Sequence, residues 1–225
     1  MNDQQKDLVS TARMTGIWYL MLAVTGMVGF LLLHSRIYVA GDPSMTLTSL
    51  IEQETLARWR LLFECLIVLS QVLAAVWFYK LFKDIHHVAA WSLAVWGTVN
   101  AIAIMISAMA MGGALEVAHD TTLGQNEKTM MIQIFSQFIK QAWMVGSLFF
   151  GLWLIPMGYI VVSSKRMPVW LGRILILGGA GYILSVFVLF MGVQGTWIDM
   201  LTIPATVGEF WMIGYLLLFG IRPTL

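Results

Sequence analysis

The chain has 225 residues, of which 59% are hydrophobic and 11% charged, with a mean hydropathy of +0.81 and a formal net charge of +1. Soluble domains usually carry about a quarter charged residues, so these charges are too few to coat a water-facing sphere, and apolar surface must face lipid. Without a basic face or run to neutralise phosphates, nucleic acid is excluded as a partner, and the length suits a single membrane domain over 1–225.

A spanning helix needs roughly 20 mostly apolar residues to cross about 30 Å of hydrocarbon. Six stretches qualify, at about 15–33, 61–82, 88–111, 143–162, 171–192 and 204–220. The expected fold is therefore all-α, an integral membrane bundle of six transmembrane helices. Lys6 and Arg13 ahead of the first stretch also fit a signal peptide, but its apolar part exceeds the usual signal core. A small-residue cleavage site is arguable only near Ala40-Gly41, so the stretch is read as a retained span.

After the first span, Gly41-Asp42-Pro43 marks a turn. Ser49 with Glu52 three residues later forms a capping-box pattern, which predicts a helix beginning at Ser49. The second span follows, then a tight basic turn at 83–87 and the third span. The connection at 112–141 carries a polar stretch and then apolar residues at helical spacing, from Met130 to Ile139. That pattern predicts an amphipathic helix leading into the fourth span, so short amphipathic helices are expected in each of the first two outer loops. Pro168 breaks the turn at 163–170 before the fifth span. The glycines 178, 179 and 181 lie inside that span, so they indicate close helix contact rather than a phosphate loop.

Lys and Arg in the loops set the orientation. With a cytoplasmic N-terminus the inner side holds Lys6, Arg13, Lys80, Lys83, Lys165, Arg166, Arg173 and Arg222, and the outer side holds Arg36, Arg58, Arg60, Lys128 and Lys140. Both termini are thus expected in the cytoplasm of a bacterial cell, with the chain in its inner membrane.

Several segments resemble one family of bacterial membrane proteins. Thr11-Ala12-Arg13-Met14-Thr15-Gly16-Ile17-Trp18-Tyr19-Leu20 is similar to its tAR-x-x-G-x-x-YL opening. Arg36, then Gly41-Asp42 and the run ETLARWRLLFE at 54–64 continue the likeness. Phe149-Phe150-Gly151, Gly158-Tyr159, Met167-Pro168-Val169-Trp170-Leu171-Gly172, Gly181-Tyr182 and Gly208-Glu209 complete it. The chain resembles the domain of unknown function 4386 family over essentially its whole length. Its one noted departure is Thr48-Ser49, where the family often has Asn. The resemblance implies a six-helix membrane fold and supplies no catalytic residue.

Chemistry is sought in the rare polar residues of the spans, since a mid-membrane charge costs at least about 2.5–3.5 kcal/mol. Arg60 and Glu64 are four apart and share a helix face, with Gln71 seven residues further along it. Asn100 sits near the middle of span three and Glu209 in span six. Gln133, Gln137, Lys140 and Gln141 form a stripe ahead of span four. Arg36 and Asp42 flank the first outer loop, and Glu116, His119 and Asp120 open the second.

Two readings follow. These groups could pair with one another to fix helix packing, as Arg60–Glu64 and Arg36–Asp42. Alternatively, they line an outward-opening polar cavity whose candidate residues are Arg36, Asp42, Arg60, Glu64, Gln71, Asn100, Gln137 and Glu209. No metal or cofactor is expected: His34, Asp42, Glu116, His119 and Asp120 match no ligand spacing. His86 and His87 point different ways and make no haem pair, and Cys65 reads as a small hydrophobe. With no catalytic constellation, the leading expectation is a protein that binds a lipid, small amphiphile or membrane partner, with a homo-oligomer left open. A small-solute or ion transporter, and an intramembrane enzyme acting on a lipid or quinone-like substrate, are the alternatives.

Overall fold

A computed structural model describes residues 3–222; residues 1–2 and 223–225, at the expected cytoplasmic ends, lie outside it. Every described element is helical. The order is α1 (Asp3–Gly26), a π-helical segment (Met27–His34), α2 (Ser35–Ile37), α3 (Pro43–Glu52), α4 (Glu54–Phe82), α5 (His87–His119), α6 (Gln125–Ser164), α7 (Val169–Phe190), α8 (Trp197–Met200) and α9 (Ile203–Leu218). Six helical stretches are long and apolar enough to cross a membrane: Gln5–Ile37, Glu54–Phe82, His87–His119, Gln125–Ser164, Val169–Phe190 and Trp197–Leu218. They coincide with the six apolar runs, because satisfying each backbone group within its own helix is what hydrocarbon requires.

The connections differ from expectation in two places. The helix after the first span starts at Pro43, and Ser49 is buried in its interior. Asp42 caps it, its Oδ1 accepting from the Met45 backbone N–H at 2.8 Å, and Pro43 occupies the first turn. An Asp cap followed by Pro is a stronger start than a capping box six residues on, since the proline ring presets φ and needs no N–H partner. In the second connection there is no separate short helix. Gln125–Ser164 is one forty-residue helix that passes through Pro156, leaving a connection of five residues. Glu127 secures its start by accepting from the Gly124 N–H at 2.8 Å.

The chain forms two compact units, to which four long helices contribute residues of each. The first comprises Met1–Met21, Ser70–Asn100 and Val145–Leu225; the second comprises Leu22–Leu69 and Ala101–Met144.

In the first unit glycine contacts hold α6, α7 and α9 together. A Cβ added to Gly151 would come within 2.7 Å of the Gly179 carbonyl oxygen, and one on Gly179 within 2.6 Å of the Gly151 carbonyl. Gly158 and Gly172 make the same reciprocal approach. On the other side of α7, Gly178 meets the Ala205 backbone and Gly181 the Leu201 carbonyl. Small residues allow this approach, and without a hydrophobic drive between helices in lipid, close packing is what binds them. The glycine run of the fifth span is therefore a packing surface.

In the second unit α3 brings Leu47 and Leu50 into a core with Ile37, Ala57, Ala114, Ala118 and Ile132. Gly113 lets the Phe135 ring close in, since a Cβ there would stand 2.7 Å from Phe135 Cζ. At its edge Glu54 pairs with Arg58 at 2.6 Å and with His119 at 3.4 Å.

Candidate functional site

Within the second unit, the most deeply buried charges among the described residues lie on α4. Arg60 and Glu64 are fully buried and one turn apart, and Arg60 Nη1 donates to Glu64 Oε2 at 2.7 Å. The other carboxylate oxygen, Oε1, accepts from the Trp143 indole N–H on α6 at 2.9 Å. Gly29 of the π-helical segment passes close to the guanidinium, where a Cβ would come within 3.4 Å of Nη1. Arg60 Nε and Nη2 have no hydrogen-bond partner among the described residues. A buried pair must offset the cost of desolvating both ions, and here the carboxylate is satisfied while the guanidinium keeps spare donors.

Trp143 also belongs to the wall of a cavity of about 450 Å³. Its lining includes a ladder of four rings, from α6, the π-helical segment and the residue just after α2: Trp143 lies 4.8 Å from Phe30, Phe30 5.1 Å from His34, and His34 4.9 Å from Tyr38. Phe30, His34 and Tyr38 are four residues apart, so consecutive helical turns stack them. π-helical turns recur at functional sites, and this one carries the first two rings. Besides Trp143, α6 contributes Ser136, Gln137, Ile139 and Lys140 to the lining.

The first unit holds a different set of polar contacts. Tyr19 donates to Glu209 at 2.6 Å and packs edge-on against Phe78 and Trp153. Asn100 donates to Gln71 at 3.2 Å. Gln71 Nε2 and Trp153 Nε1, both buried, lack partners among the described residues, and both face Gly97, 3.3 Å from where its Cβ would be.

The eight candidate residues divide between the two units. Gln137 lines the cavity, and Arg60 and Glu64 stand behind its Trp143 wall. Gln71, Asn100 and Glu209 belong to the first unit. Arg36 is exposed, and Asp42 is occupied in capping α3. No Arg36–Asp42 ion pair forms among the described residues, so that expected pin of the first loop is replaced by the cap. His119 engages Glu54, and Asp120 closes a turn by accepting from Thr122 N at 2.7 Å and Thr122 Oγ1 at 2.6 Å. The sequence reading missed Phe30, Tyr38, Ser136 and Trp143 as cavity residues. The four-residue spacing of Phe30, His34 and Tyr38 was the available signal.

The profile of a domain of unknown function (DUF4386) matches residues 14–220. The chain belongs to that family. As a DUF4386 member it joins a family whose function is unknown, so its cavity must be read from its own residues. No curated protein and no solved structure matches the chain.

Proposed function

We propose that this DUF4386 protein binds a lipid or small amphiphile in the cavity of its second unit, without catalysing a reaction. The ring ladder Trp143–Phe30–His34–Tyr38 carries the reading. It gives the lining an apolar surface suited to acyl or ring carbon, while Ser136, Gln137 and Lys140 offer hydroxyl, amide and ammonium groups. Ligand pockets combine a largely apolar lining with a few placed polar groups in this way.

The chain's orientation follows from its loop charges, eight Lys and Arg on one side and five on the other. By the positive-inside rule, both termini lie in the cytoplasm of a bacterial cell, the whole chain forms one domain of the inner membrane, and the cavity faces outward. The Arg60–Glu64–Trp143 set acts as the support of the cavity wall, holding the indole in place through Glu64.

The test is mass spectrometry of lipids and small molecules retained when the chain is extracted with its native membrane. A specific amphiphile should be enriched over the bulk lipid, and Phe30→Ala should release it while the protein stays folded. Retention matching bulk composition in both proteins would overturn binding. Gradient-driven uptake of a solute into sealed vesicles would instead select transport.

A further inference from the structure

The cavity has an electrostatic character that its apolar wall does not explain. Lys140 is the one Lys or Arg among its lining residues, and no carboxylate lines it. The ammonium is exposed and makes no ion pair among the described residues. The nearest buried carboxylate behind the ring ladder, Glu64, is spent on both oxygens by Arg60 and Trp143. Two buried polar atoms of lining residues, His34 Nδ1 and Ser136 Oγ, have no partner among the described residues. Most buried side-chain polar atoms have a partner, so these two lining residues each keep a hydrogen bond to give.

Position along α6 agrees. Forty residues at about 1.5 Å each make a rod of roughly 60 Å, twice the hydrocarbon thickness. The apolar run of this helix starts at Ala142-Trp143, so Ser136, Lys140 and Trp143 sit where hydrocarbon gives way to headgroups. A lysine there extends its stem along apolar surface and keeps its charge in the wet layer, and tryptophan favours the same level.

We propose that the cavity recognises an anionic headgroup, a phosphate or carboxylate, with Lys140 as its charge partner. Ser136 donates its hydroxyl to the anion, His34 donates from Nδ1, and the ring ladder receives the adjoining apolar chain. The inference rests on the amphiphile-binding reading and adds the sign and chemistry of the head. Compared with a zwitterionic head, the anion gains the full attraction of one uncompensated ammonium close to the membrane surface. The same chemistry could come from a lipid or from free phosphate.

The experiment places the full chain in phosphatidylcholine nanodiscs and adds phosphatidylglycerol, phosphatidylcholine of the same acyl chains, or inorganic phosphate. Native mass spectrometry counts the molecules retained. Phosphatidylglycerol should be held roughly fivefold more than phosphatidylcholine, the effect expected of one lysine at the surface. Lys140→Gln should abolish that preference, and Lys140→Arg should keep it. Lys140 is exposed, so neither variant threatens folding.

Equal retention of both lipids, lost in Phe30→Ala, would overturn the anionic head and leave amphiphile binding standing. Retention of neither lipid would overturn both. A preference that survives Lys140→Gln would overturn the assignment of Lys140. Inorganic phosphate retained alone, and lost in Lys140→Gln, would support the anion chemistry with a soluble source in place of a lipid.

Discussion

The two units bury polar groups in opposite ways. The second unit buries a formal ion pair, Arg60–Glu64, whose carboxylate is saturated while two guanidinium nitrogens lack partners. The first relies on close glycine contacts, with its polar side chains in neutral or single-charge pairs such as Tyr19–Glu209 and Asn100–Gln71. A buried pair is a poor way to gain stability, since apolar residues of like volume serve as well or better. It stands beside a cavity, and among the described residues the glycine-packed unit shows no buried ion pair of this kind, so the second unit is built around something other than stability alone.

The largest effect should come from Glu64→Ala. Removing one partner of a buried pair leaves an uncompensated charge and costs about 3–5 kcal/mol, to be measured as unfolding free energy in bicelles. Arg60→Leu combined with Glu64→Leu should return stability near the starting value, or raise it by about 1–4 kcal/mol. If the double variant is as unstable as Glu64→Ala, the pair is a structural requirement and the contrast between the units disappears.

Gly158→Ala comes next, because the new methyl meets the Gly172 carbonyl. Overpacking of this kind costs about 1–3 kcal/mol. Gly214→Ala serves as its control in the same unit, where an added Cβ meets nothing within 4 Å. That substitution should stabilise α9 by about 0.5–1 kcal/mol through helix propensity, and equal losses at both glycines would refute packing as the first unit's glue.

Tyr19→Phe removes the hydrogen bond to Glu209 while keeping the ring between Phe78 and Trp153. A loss of about 0.6 kcal/mol, and at most about 1.7, is expected for such a bond within a membrane protein. A loss near that of Glu64→Ala would show that the first unit, too, depends on a buried charge. The smallest change belongs to Arg58→Gln, whose pair with Glu54 is exposed. It should leave stability unchanged within the error of the measurement, which calibrates how much burial adds at Arg60, two residues away.

How far the sequence could be read depended on the separation of the partners. Each span is a continuous apolar run, so its existence is a local property and all six could be placed. Arg60 and Glu64 could be paired because four residues make one helical turn. Trp143 with Glu64 and Tyr19 with Glu209 could not, being 79 and 190 residues apart. Helix ends were harder still. The stretch from Gln125 to Gln141 contains neither Gly nor Pro, so nothing separates the expected amphipathic helix from the fourth span, and the two run on as one helix. At Ser49 two start signals competed, and the Asp42-Pro43 pair won.

The reciprocal glycines of α6 and α7 also carry a kinematic consequence. Gly151 faces Gly179 and Gly158 faces Gly172, so the two antiparallel helices share one register, with contacts seven residues apart on each. Sliding by a single residue would drive side chains into carbonyls at both points together. A shift of a full heptad, roughly 10 Å of travel, would restore only one of the two glycine contacts. The pair thus works as a notched rail with one permitted position, and motion in the first unit must bypass it.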